Sequence, residues 1–235
     1  MMITINNLTK VYGDTTVLDI PELTIKRGEL IGLVGNNGAG KSTMLRLILD
    51  LIKADTGHVE LMGQKVNEST DWKYKTGSFV DGSFLIDFLT PEEYFAFIAK
   101  AYDISKELMD ERLSEYHGLM NGEVLGTKKY IKNFSEGNKQ KTGIIGAMFI
   151  NPDVLLLDEP FNYLDPSSQI TVSRLIHKMN KELGCTIIIS SHNLNLVSDI
   201  SSRILLLEKG NIIKDLPNTQ GEAITELENY FESNI

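Results

Sequence analysis

The chain has 235 residues, 42% hydrophobic and 23% charged, with a single cysteine and a net charge of −9. That length suits one large domain or one domain carrying an insertion, and the apolar share argues against disorder. The acidic balance argues against a broad basic face for nucleic acid, and a lone Cys185, in the apolar run CTIIIS, rules out an internal disulfide and reads as a buried, inert thiol.

The opening ITINNLTKVY alternates between apolar and polar residues, as a half-buried strand does. Short strand-like pieces follow at 17–20, 23–25 and 59–62, which predicts a small antiparallel sheet. LIGLV (30–34) is an apolar strand, and MLRLILDLI (44–52) has a helical period. From about 89 to 134 the pattern is helical. Thr90-Pro91-Glu92-Glu93 opens this stretch with a cap, a first-turn proline and a glutamate three residues after the cap. A helix from Glu136, a strand VLLLD (154–158), a helix after Pro166 and a strand TIIIS (186–190) complete the alternation. Strands this apolar predict a parallel sheet buried on both faces.

The fold expected is therefore α/β: a core with a mostly parallel sheet (1–88 and 136–235), an N-terminal antiparallel β subdomain and a helical insertion (about 89–135). The last segment places Ile224, Leu227 and Phe231 on one face of an amphipathic helix. From Asp215 onward the chain carries Asp215, Glu222, Glu226, Glu228 and Glu232 with no lysine or arginine, which reads as a solvated helix face. No apolar run is long enough to cross a bilayer, and the N-terminus lacks a secretory pattern, so a cytosolic protein is expected.

Between strand and helix lies GNNGAGKST: Gly35, Asn36, Asn37, Gly38, Ala39, Gly40, Lys41, Ser42 and Thr43. The spacing G-x-x-x-x-G-K-S lets backbone N–H groups turn inward around phosphates. Lysine then reaches the terminal phosphates, and the serine hydroxyl ligates Mg²⁺. In a P-loop NTPase this context predicts nucleoside-triphosphate binding. Asp158, at the end of the second acidic strand, is the expected Mg²⁺ partner. The adjacent Glu159 is the expected base for an attacking water. His58, His117 and His177 fall in no ligand-like spacing.

Before that strand comes NFSEGNKQK (133–141). Together with the two motifs above, it resembles the signature of ATP-binding-cassette (ABC) ATPases, whose form is LSGGQ followed by a basic residue, glutamine and a basic residue. Ser135, Gly137, Lys139, Gln140 and Lys141 match. Phe134, Glu136 and Asn138 stand in place of leucine, glycine and glutamine. Over nearly the whole chain the resemblance continues: Tyr12 in KVYGDTTVL at the adenine-stacking position, Asp165 in FNYLDP, His192 in IIISSH as the switch histidine, and the ending SDISSRILLLEKGNII.

The resemblance implies ATP and Mg²⁺ as ligands, with Lys41, Glu159 and His192 as catalytic residues. It implies two cassettes closing head to tail, so that Ser135, Gly137 and Asn138 of one cover the nucleotide of the other. Asp81 stands where the family has a glutamine at the metal, beside Ser42 and Asp158. Glu136 is expected to face outward or pair with a lysine. The implied job is the ATPase subunit of a transporter, peripheral on the cytoplasmic face and docked on an integral membrane subunit, with phrasing closer to exporters than importers. The alternative is a soluble cassette ATPase, for instance in iron–sulfur assembly. Homodimer and heterodimer both remain open.

Overall fold

Parity along the first strand sets the N-terminal layer. In a computed structural model, which describes residues 1–80, 82–218 and 223–233, β1 (Ile3–Tyr12) buries Ile3, Ile5 and Leu8. Strict alternation would turn Leu8 outward. Asn7 takes a left-handed φ of 48°, and the register against β4 (Thr56–Leu61) shifts between Asn6 and Thr9, so an extra residue restores Leu8 to the core. Opposite the bulge only glycine fits: a Cβ at Gly57 would come 2.2 Å from the Asn7 carbonyl oxygen.

β2 (Thr15–Ile25) is one continuous strand, where the sequence suggested two pieces. Pro21 does not interrupt it, because β2 is the edge of the antiparallel sheet β2-β1-β4-β5 and the missing N–H faces no partner strand. The fourth strand of that sheet is β5 (Gln64–Lys65).

The second sheet has the order β10-β9-β3-β8-β7-β6. Its members are β3 (Leu30–Val34), β6 (Thr76–Phe79), β7 (Val154–Asp158), β8 (Thr186–Ser191), β9 (Arg203–Glu208) and β10 (Asn211–Pro217). All pair in parallel except β10, which returns antiparallel to β9. Both faces are covered, as apolar strands demand. Ile31, Leu33, Leu156 and Ile188 face α1 (Lys41–Ile48) and the antiparallel sheet, while Leu155, Leu157, Ile187 and Ile189 face the helices of the other side.

Those helices are α2 (Pro91–Ala101), α3 (Lys106–Ser114), α4 (His117–Met120), α5 (Glu136–Met148) and α6 (Pro166–Leu183). α2 starts at the expected capping box: the Glu93 N–H donates to the Thr90 hydroxyl and the Thr90 N–H to the Glu93 carboxylate. α5 lies close on β6, because a Cβ at Gly143 would come 2.2 Å from the Phe79 ring. One apolar cluster runs from Phe95 of α2 through Phe149 into the parallel sheet, with the two rings edge to face at 5.8 Å.

α7 (Leu194–Ile200) and α8 (Ala223–Ser233) pack on the far end, where Ala223 and Leu227 are buried and Ile224 and Phe231 half-buried. Cys185 is fully buried, and burial pushes its thiol pKa up to about 12. Among the described residues no helix is long and apolar enough to cross a membrane.

Phe95 has no exposed surface and joins the helical region to the sheet. Phe95→Ala should therefore cost about 3–5 kcal/mol of stability. The check is a urea titration, where the midpoint should drop at unchanged slope.

Candidate functional site

The phosphate loop joins β3 to α1, and its glycines are required for two separate reasons. Gly35, Gly38 and Gly40 have φ of 155°, 82° and 107°. In addition, a Cβ at Gly35 would come 2.2 Å from the Leu207 carbonyl, and one at Gly40 2.8 Å from that of Val17. The loop is thus wedged between β9 and β2 and pinned there by Gly210 N–H donating to the Ala39 carbonyl at 2.9 Å. Asn36, Asn37 and Gly38 are exposed at its tip, and Ser42 and Thr43 are half-buried in the first turn of α1.

Lys41 is 6% exposed, so its ammonium needs partners. It donates to the Gly35 carbonyl at 2.7 Å and to that of Asn36 at 3.3 Å, and lies 3.7 Å from Glu159 Oε1. The other Glu159 oxygen accepts from His192 Nδ1 at 2.9 Å; a carboxylate can only accept, so Nδ1 carries the proton. Three side chains from three separate elements meet here.

Asp158 ends β7. The Ser190 hydroxyl donates to its Oδ1 and accepts the Glu159 N–H at 3.0 Å, so one serine ties both acidic residues to β8. The sequence reading gave Ser190 no role. The signal was a serine directly after the apolar run Ile187–Ile189, two positions before His192. Asp81 lies outside the described residues.

Ser135 caps α5 and accepts the Asn138 N–H at 3.3 Å. Glu136 points away and pairs with Lys139 at 2.8 Å, as expected. A Cβ at Gly137 would come 2.7 Å from the Tyr163 carbonyl, so the first turn of α5 sits directly on the loop that follows the acidic strand. The link from this segment to the Lys41–Glu159–His192 cluster runs through Gln140, whose Nε2 donates to the Glu159 carbonyl at 3.0 Å. Tyr12 stands at the end of β1, 52% exposed, with Lys10 Nζ 5.1 Å from its ring centre. Asp165 caps α6: its carboxylate accepts from the hydroxyls of Ser167 and Ser168 and from the Ser168 N–H. These bonds, the Ser167 hydroxyl first, hold its pKa far below the usual carboxylate range.

Residues 18–162 match the ABC transporter family. This chain belongs to that family. Among its relatives is the bacitracin transport ATP-binding protein BcrA of Bacillus licheniformis, 34% identical over 212 residues, which cover 90% of this chain and 68% of that one. The methionine import ATP-binding protein MetN of Clostridium tetani is 32% identical over 225 residues, covering 92% and 70%. The fold is shared with a solved ATP-binding cassette, a dimer in a post-hydrolysis state bound to ADP and Pi. That likeness has a TM-score of 0.81 at 27% identity and covers 92% of this chain and 98% of that one. The protein is an ABC ATPase, the ATP-binding subunit of an ABC transporter.

The depressed Asp165 pKa sets a pH dependence for the cassette. Its stabilising effect is complete above the unfolded carboxylate pKa of about 4 and is lost as pH falls from there through the lower folded value. Asp165→Ala should flatten the fall of the urea midpoint between about pH 4 and 2, while the parent keeps the slope.

Proposed function

We propose that this cassette binds ATP with Mg²⁺ and hydrolyses it by attack of a water that Glu159 activates. The observation carrying this reading is the meeting of Lys41, Glu159 and His192 at one end of the parallel sheet. Lys41 neutralises the β- and γ-phosphate oxygens above the loop. The loop N–H groups and the first turn of α1 supply further donors. The Glu159 carboxylate takes a proton from water as its oxygen bonds to the γ-phosphorus and the bond to the β-phosphate oxygen breaks, giving ADP and inorganic phosphate. His192, tied to Glu159 through Nδ1–H, keeps that carboxylate oriented beside the γ-phosphate.

The donor set fits Mg²⁺: a serine hydroxyl at Ser42 and a carboxylate at Asp158 are hard oxygen ligands. The rest of its shell would come from phosphate and water. When bound, Mg²⁺ offsets charge developing on the phosphates. We assign Tyr12 to the adenine. Ser135, Gly137, Asn138 and Asp165 we assign to the nucleotide face of a second cassette in a head-to-tail dimer. Asp165 does this from a carboxylate already bound to its own helix.

We further propose that residues 89–135 form the helical unit that docks on a separate integral membrane subunit. Phe84, Phe88 and Phe97 are exposed around the start of α2 and support that reading. The cassette then works on the cytoplasmic face of the membrane. For direction we propose export, on the phrasing of EPFNYLDP and ISSHNLNLVSD. One relative is named for bacitracin transport and another for methionine import, and their similar identities leave that choice to experiment.

The test is detergent extraction of membranes holding tagged Glu159→Gln chain, followed by capture and identification of what comes with it. Stoichiometric recovery of a polytopic membrane protein is expected. Recovery from the cytosol alone, or with soluble partners, would overturn the transporter reading. ATP-driven accumulation in inside-out vesicles of the captured complex is the outcome export requires.

A further inference from the structure

Glu159 has a backbone conformation that a glutamate rarely takes. Its φ is +46°, in the left-handed region, at the junction where β7 ends and the chain turns. Such a conformation persists only when neighbours hold it. Here they hold it from both sides. On the amide side, Glu159 N–H donates to the Ser190 carbonyl at 3.1 Å and to its hydroxyl at 3.0 Å. On the carbonyl side, Glu159 C=O accepts from Asn162 N–H at 3.2 Å and from Gln140 Nε2 at 3.0 Å.

Of these four bonds, that from Gln140 alone comes from a side chain on a helix. Gln140 is 8% exposed and sits in the second turn of α5. Gly137, three residues earlier on the same helix face, packs against the Tyr163 carbonyl. α5 therefore grips the turn after the acidic strand at two points, one of them the peptide that carries Glu159. The direction of the Glu159 Cα–Cβ bond follows from that peptide. Without the Gln140 donor that carbonyl keeps only the Asn162 N–H, and the carboxylate is less firmly held in its place between Lys41 and His192.

We propose that Gln140 is a positioning residue for hydrolysis, holding Glu159 in its left-handed conformation and tying the orientation of that carboxylate to helix α5. This rests on the reading of Glu159 as the base. Gln140 is buried against the Glu159 carbonyl and acts through Glu159.

The test uses the purified full chain and four forms: parent, Gln140→Met, Glu159→Gln and the double variant. Methionine keeps the length and bulk of glutamine and removes the donor, so folding should be retained; the thermal midpoint checks this. Single-turnover hydrolysis of radiolabelled ATP with Mg²⁺ reads rates too slow for steady state. Gln140→Met should lower kcat by about 10- to 100-fold, the scale of a small misplacement of a reacting group, with KM for ATP within about twofold of the parent. On the Glu159→Gln background the same change should alter the remaining rate by less than about twofold, because its target is gone.

Gln140→Glu, which sets an acceptor against a carbonyl, should be slower still and serves as the second probe. An unchanged kcat in both variants overturns the proposal. So does an equal loss on both backgrounds, or a loss carried by KM. A Glu159→Gln chain that hydrolyses ATP at the parental rate would instead sink the assignment of the base.

Discussion

A buried ammonium has to be paired, and much of this site follows from how Lys41 is paired. Its charge sits 6% exposed at the start of α1, inside the ring of the phosphate loop. Two loop carbonyls and the Glu159 carboxylate surround it. The loop can offer those carbonyls only because its glycines adopt left-handed φ and because Gly35 and Gly40 allow β9 and β2 to press close. The carboxylate reaches it only because β7 ends level with β3, two strands away across β8.

The central strands supply that level edge. β7, β8 and β3 are parallel and in register, with Leu155, Ile187 and Leu30 aligned, so the loops after all three leave the sheet on one side. Their chemistry-bearing residues, Asp158–Glu159, His192 and Lys41, then gather without any of them lying in a strand interior. This is the usual place for a ligand in an open parallel sheet, outside the carboxyl ends of the strands. Ser190 adds a local tie, its single hydroxyl serving Asp158 as donor and Glu159 as acceptor.

Around this edge the structure separates rigid parts from presented ones. Lys41, Ser190 and Gln140 are buried and bonded, whereas Tyr12, Asn36, Asn37, Gly38 and Tyr163 stand exposed. The exposed set is held on the buried one and leaves the core packing undisturbed. Glu136, the charge that departs from the family signature, is neutralised by Lys139 on the same helix and leaves the first turn of α5 unburdened.

Local pattern determined much of this. The β3–loop–α1 unit, the capping box at Thr90, the helix starts at Glu136 and Pro166, and the two buried strands are each written in a short window, because period, caps and glycine spacing act within a turn or two. The glycine-rich loop before Lys41 and the acidic strand end were legible for the same reason. What only the tertiary structure decided is of longer range. Pro21 passes within a strand because that strand became an edge, and Asn7 bulges because Gly57 faces it. Ser190 and Gln140 acquire their roles from partners 31 and 19 residues away on other elements. A side chain's hydrogen-bonding capacity is set by its type, but its partner is set by register and packing, and those exist only once the sheet and α5 have come together.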